Sequence, residues 1–196
     1  MTRTLERRSF GISGVQIRTA DDDTGRLRFH GRAVVYDQLS ADLGGWQEVI
    51  KPGAATRTLA GTPDVRFLVN HDPNLLLART ASGTLTLSED DEGILVDADM
   101  ADVSYARDLA VLLERGDATQ MSFGFWILRD EWSGNLHVVR EFDLDGGDVS
   151  VVTYPAFPQT SAELRSIAEA RVRAADGYPL ERAQHRLREL KLLNEL

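Results

Sequence analysis

Through most of the stretch from Arg26 to about Pro158, two helical segments apart, the apolar residues recur at every second position in short runs closed by turn-forming residues such as glycine, proline, asparagine or aspartate. A period of two is satisfied only by strands that bury one face, so this stretch must build a sheet core. After Pro158 the apolar spacing turns helical, with Leu164, Ile167, Ala168 and Val172 in one stripe and Ala183, Leu187, Leu190 and Leu193 in another. At 196 residues the chain suits one domain with an appended segment. The boundaries read as an N-terminal segment 1–25, a strand-rich domain 26–158 and a helical C-terminal tail 159–196. No internal repeat or low-complexity tract interrupts this plan.

The strand signals fall at definite places. Leu27, Phe29, Gly31, Ala33 and Val35 alternate with Arg26, Arg28, His30 and Arg32, which predicts a half-buried strand with an arginine-rich outer face. A second strand is expected over Trp46–Ile50 and a helical turn over Ala54–Ala60. Val65–Val69 leads straight into Asn70-His71-Asp72-Pro73, so His71 is expected at a strand tip, on a turn fixed by Pro73. A meander follows, with Leu85, Leu87, Ile94, Val96 and Ala98 as core candidates. The clearest helix is Ser104–Arg115, with Ser104 as N-cap, a stripe of Tyr105, Leu109, Leu112 and Leu113, and Gly116 to stop it. Beyond it come an aromatic strand, Thr119–Leu128, and a return strand through Leu136, Val138 and Val139. Gly146-Gly147 is then expected to break the chain before a last strand, Asp148–Thr153.

Composition removes several classes of function. There is no cysteine, which excludes a disulfide scaffold, a cysteine nucleophile and a thiolate metal site. The net charge is −9 and no stretch is persistently basic, which argues against a sequence-independent grip on nucleic acid. No apolar run is long enough for a membrane-spanning helix, and Met1–Phe10 lacks the apolar segment of a signal peptide, so the expected compartment is the cytoplasm. The acidic run Glu89-Asp90-Asp91-Glu92 lacks the spaced ligands of a calcium loop and reads as a solvated turn; neither a metal nor a cofactor is expected.

A hydrolytic serine needs a base to take its proton and a third group to orient that base. Four histidines are available. His30 sits between arginines on an outward strand face, His185 lies on the polar side of the terminal helix, and His137 follows a turn at an expected exposed strand position. His71 alone lies on a tight polar turn at a strand end, where side chains converge on clefts. Ser122 shares a strand face with Gly124, and the missing side chain leaves room beside the hydroxyl for a substrate backbone. The competing reading makes Gly124 the relief of a close strand contact and Ser122 a buried, hydrogen-bonded hydroxyl. Asp148, on one face with Ser150 and Val152, reads either as an ordinary turn residue or as the group that orients His71.

Taken together, these segments resemble the prohead protease family of tailed phages. The likeness is carried by His30-Gly31-Arg32-Ala33-Val34-Val35-Tyr36, Glu48-Val49-Ile50-Lys51-Pro52-Gly53-Ala54 and Val69-Asn70-His71-Asp72. It continues in Leu76-Leu77-Ala78-Arg79-Thr80, Gly83-Thr84-Leu85-Thr86-Leu87, Met121-Ser122-Phe123-Gly124-Phe125 and Asp148-Val149-Ser150-Val151-Val152-Thr153-Tyr154-Pro155-Ala156, ordered from about Phe29 to Phe157. The resemblance implies an α+β fold related to the herpesvirus assembly proteases: a mostly antiparallel, β-barrel-like core flanked by helices. It implies a serine endopeptidase with His71 and Ser122 as the catalytic pair. The acid before Val-Ser-Val-Val is commonly glutamate in the family and is Asp148 here. The herpesvirus relatives use a second histidine as third member, so His137, with Glu141 behind it, is the alternative to Asp148. The implied setting is the assembling prohead in the host cytoplasm. The implied substrates are the scaffold, the major capsid protein through its delta segment, or both, and the protease itself. The C-terminal helix is a candidate for docking or for homo-oligomer formation. A rival expectation is a catalytically silent assembly or scaffolding protein of the same fold, against which stands the joint presence of His71 and Ser122.

Overall fold

The computed structural model describes residues 4–11, 16–19, 26–40 and 42–153. All of them lie in the first of two units into which the chain divides, Met1–Ala156. The second unit, Phe157–Leu196, lies outside the described residues, and with it fall the expected tail helices and His185.

Ten strands form two sheets among the described residues. The strands are β1 (Glu6–Gly11), β2 (Gln16–Thr19), β3 (Leu27–Val35), β4 (Gln47–Ile50), β5 (Arg66–Val69) and β6 (Asp72–Arg79), followed by β7 (Leu85–Asp90), β8 (Gly93–Asp99), β9 (Gln120–Ser133) and β10 (Leu136–Val152). Two α-helices, α1 (Thr56–Ala60) and α2 (Ser104–Arg115), complete the α+β architecture. The larger sheet has the order β1-β9-β10-β5-β6 with β4 also on β10, and the smaller sheet has the order β2-β3-β8-β7. Pairing is mostly antiparallel, but β4 and β5 both run parallel to β10, at opposite ends of it. The strands fall into separate sheets rather than one closed ladder, which is the difference from the expected barrel.

One core serves both sheets. Phe29 of β3 and Phe67 of β5 meet with ring centroids 4.7 Å apart, and Phe123, Phe125 and Phe142 form a second aromatic group on β9 and β10. β3 alternates inward as its sequence requires, except that a bulge between Arg32 and Val34 turns both Ala33 and Val34 inward. Segment 1–25, set apart in the sequence reading, contributes β1 to the larger sheet and β2 to the smaller.

Two expectations are corrected in detail. The N-cap of α2 is Val103, with no side-chain cap, and Ser104 is the first helical residue; Gly116 does end the helix in the left-handed conformation. Of the expected stripe, Leu109 is buried and Tyr105 and Leu113 pack on the core, whereas Leu112 is exposed; Ala106, outside the expected stripe, is buried. The chain also does not break at Gly146-Gly147. β10 runs through both glycines as one strand of 17 residues, and the glycines absorb a register shift between Asp143 and Asp148. None of the described helices is long and apolar enough to cross a membrane.

Candidate active site

β5 delivers His71. Asn70 and His71 both adopt positive φ, +53° and +57°, a left-handed pair that costs non-glycine residues on the order of 1 kcal/mol each. Such a turn persists only where other bonds over-determine it. Here the backbone N–H of Asn70 donates to the carbonyl of Val151 (2.9 Å), and Asn70 Oδ1 accepts the N–H of Thr153 (2.9 Å). Pro73 lies inside β6, so the turn is clamped onto β10 by Asn70 rather than fixed by the proline.

β9 and β10 bring the other members. Ser122 of β9 lies opposite Ser150 of β10, and Asp148 lies two positions earlier on the same face as Ser150. The imidazole of His71 bridges them, with Nε2 at 2.7 Å from Ser122 Oγ and Nδ1 at 2.6 Å from Asp148 Oδ2. An ionised carboxylate only accepts, so Nδ1 carries the proton, Nε2 is left as acceptor, and the Ser122 hydroxyl donates to it. That is the protonation pattern in which imidazole can take a serine proton. Ser122 is fully buried, while the His71 side chain keeps 12% of its surface exposed.

The space expected beside Gly124 is occupied. A Cβ on Gly124 would lie 2.7 Å from Asp148 Oδ1, so the volume foreseen for a substrate backbone holds the carboxylate. Gly147 has a related part: a Cβ there would meet the Gly124 carbonyl oxygen at 2.2 Å, which side chains never tolerate. Both glycines let β10 and β9 approach closely where Asp148 reaches inward.

The remaining candidates lie elsewhere. His137 is 1% exposed, contrary to the outward position expected for it. Its ring stacks on Trp132 (4.4 Å) and meets Trp46 edge-on (5.6 Å), while Nδ1 and Nε2 bind Glu48 (2.9 Å) and Asp130 (2.7 Å). Burial alone would disfavour its protonation, but the hydrogen bonds and charges of Glu48 and Asp130 outweigh it and raise its pKa. Both ring nitrogens are thus committed to other carboxylates. Glu141 pairs with Arg57 at 2.9 Å. His30 is exposed and bonded to Asp97, and the acidic run is engaged through Arg32–Asp90 and Tyr36–Glu89. Among the described residues no group of three or more His, Asp or Glu is placed to hold a metal ion.

Sequence reasoning missed two features. Ser150 was visible only as a neighbour of Asp148 on one strand face; its bond to the Asp148 carboxylate (2.6 Å) depends on the local pleat. The second is the ion cluster of Arg8, Glu48 and His137, which joins β1, β4 and β10 and has no signature in any single segment.

A serine, an imidazole and a carboxylate lie here in the hydrogen-bonded order that serine hydrolases use. The sequence profile described as caudovirus prohead serine protease matches residues 13–173, beyond both ends of the segments that carry the resemblance. The chain belongs to the caudovirus prohead serine protease family. Among solved structures it is similar to the capsid assembly protease gp21 of bacteriophage T4, with a TM-score of 0.52 and 11% identity over 75% of this chain and 97% of that one; at this identity the likeness speaks for the fold. No curated protein sequence matches the chain.

Proposed function

We propose that this protein is a serine endopeptidase of prohead maturation that cleaves the scaffold, the major capsid protein through its delta segment, or both, by acyl transfer from Ser122. His71 removes the Ser122 proton as the hydroxyl attacks a peptide carbonyl, and Asp148 steadies the imidazolium that results. His71 then protonates the leaving amine, and a water deprotonated by the same imidazole releases the acyl-enzyme. The observation that carries this reading is the continuous chain Ser122 Oγ–His71 Nε2 and His71 Nδ1–Asp148 Oδ2, at 2.7 and 2.6 Å. Family membership supports the substrate class, and the name of the T4 neighbour as a capsid assembly protease agrees with it. His137 is not favoured as third member, because its ring nitrogens bind Glu48 and Asp130. The setting follows from the substrate: the interior of the assembling prohead, in the host cytoplasm.

Incubation of the purified protein with its cognate capsid precursor tests this directly. Wild type should yield defined fragments, and Ser122→Ala should yield none while keeping its melting temperature. Fragments that persist with Ser122→Ala overturn the assignment, and a wild type that never cleaves favours the catalytically silent assembly protein.

A further inference from the structure

Ser150 is a buried hydroxyl that the acyl-transfer scheme leaves unused. It is 0% exposed, on β10 directly across from Ser122. Its Oγ lies 2.6 Å from Asp148 Oδ2, 3.3 Å from the backbone nitrogen of His71 and 3.4 Å from His71 Nδ1. A serine hydroxyl has one proton and two acceptor sites. The carboxylate can only accept, so the proton goes to Asp148, and an oxygen lone pair then faces the N–H of His71.

This closes a ring: the His71 N–H donates to Ser150, Ser150 donates to Asp148 Oδ2, and the same Oδ2 accepts from His71 Nδ1. One hydroxyl therefore fixes two things at once. It holds the backbone of His71, whose φ of +57° needs support, and it fixes the rotamer of the carboxylate against which the imidazole is aligned. We propose that Ser150 is a positioning residue for the reaction, acting through Asp148 and His71 without touching the substrate. The proposal rests on the reading of Ser122, His71 and Asp148 given above.

The probe is a fluorophosphonate, whose rate of reaction with Ser122 reports the activated hydroxyl without requiring a known cleavage site. Ser150→Thr keeps the hydroxyl and Ser150→Val has the same shape without it, so the pair isolates the hydroxyl from any effect of the added methyl. Ser150→Val is expected to label about 10–100-fold more slowly than Ser150→Thr, the loss typical of a hydrogen bond to a charged group. Without the Ser150 donor, the carboxylate charge falls more fully on the imidazolium. The acid limb of the rate profile should therefore move to higher pH in Ser150→Val and stay in place in Ser150→Thr.

In an Asp148→Asn background the difference between the two variants should shrink, because of the two bonds of the hydroxyl only the one to the His71 N–H keeps its partner unchanged. Equal rates and equal pH limbs for the two variants overturn the proposal, and so does a full, unreduced difference in the Asp148→Asn background. Labelling that survives Ser122→Ala overturns instead the reading on which the proposal rests.

Discussion

At Gly124 the absence of a side chain is what lets the short acid Asp148 reach His71. Asp148 Oδ1 occupies the volume that a Cβ on residue 124 would take, and Oδ2 is held by both His71 and Ser150. A methyl at 124 can be accommodated only by swinging the carboxylate, which breaks those two bonds. Gly124→Ala is therefore expected to lower kcat for capsid-precursor cleavage by about 10–100-fold, with KM changed little, because no group that binds peptide is removed. Steady-state kinetics check this; a raised KM with unchanged kcat would assign Gly124 to the substrate instead. At this scale the sequence was partly legible. His71 is marked as a candidate by a polar turn at a strand end, whereas Ser122 beside Gly124 fits a buried structural hydroxyl equally, and only the family resemblance pairs the two. Asp148 was left open because periodicity places a residue on a face and says nothing of how far its side chain reaches. His137 misleads for the same reason: alternation gives its face, while the tryptophans that cover it come from residue 132 on the paired strand and residue 46 on another part of the chain.

Among elements, β10 organises the larger sheet and ties the site to a distant ion cluster. Its first half pairs with β4 and its last with β5, so one strand carries His137 at one end and Asp148 at the other. At the His137 end, Arg8 of β1 binds Glu48 of β4 (2.6 Å), and Glu48 binds His137, with Asp130 on the other ring nitrogen and Glu6 also against Arg8. Burial raises the pKa of Glu48, but the charges and hydrogen bonds of Arg8 and His137 outweigh it and hold the carboxyl down at about 2.

A depressed carboxylate contributes stability above its unfolded pKa, and that stability is lost as pH falls toward the folded value. For Glu48 the window runs from about 4.5 down to about 2 and is worth on the order of 3 kcal/mol. The raised pKa of His137 works in the opposite sense: its contribution is complete below about 6.5 and fades as pH rises through the folded value. The melting temperature should therefore peak between about pH 4.5 and 6.5, falling on both sides. Glu48→Gln should lower that peak and flatten the acid limb in a calorimetric pH series. An unchanged acid limb would contradict the role given to Glu48. Strands β3, β4, β5 and β9 were legible from alternation, as was α2 from its stripe and stop signal, whereas β1, β2 and β6 carry no such alternation and were not. The continuity of β10 was not, because paired glycines mark a chain break and a bulge alike.

For the whole molecule, the strand order of the larger sheet explains how residues 71, 122 and 148 meet although 51 and 26 positions separate them in turn. β5 and β9 flank β10 on either side, so the His71 turn, Ser122 and Asp148 need only sit at the same level of three adjacent strands. That neighbour relation was not legible in the sequence, since parallel pairing of β5 with β10 joins segments about eighty residues apart with no turn between them to announce it. The family resemblance supplied the pair His71 and Ser122; the sheet order supplies the reason they touch. The same order makes the site a property of the assembled sheet, so an active preparation must be a folded one. The most direct measurement is to react the folded protein with a fluorophosphonate and map the adduct by peptide mass spectrometry. A single adduct on Ser122, lost in His71→Gln and slowed in Asp148→Asn, is the predicted result. An adduct on another serine, or labelling of Ser122 that is indifferent to His71, would contradict the account.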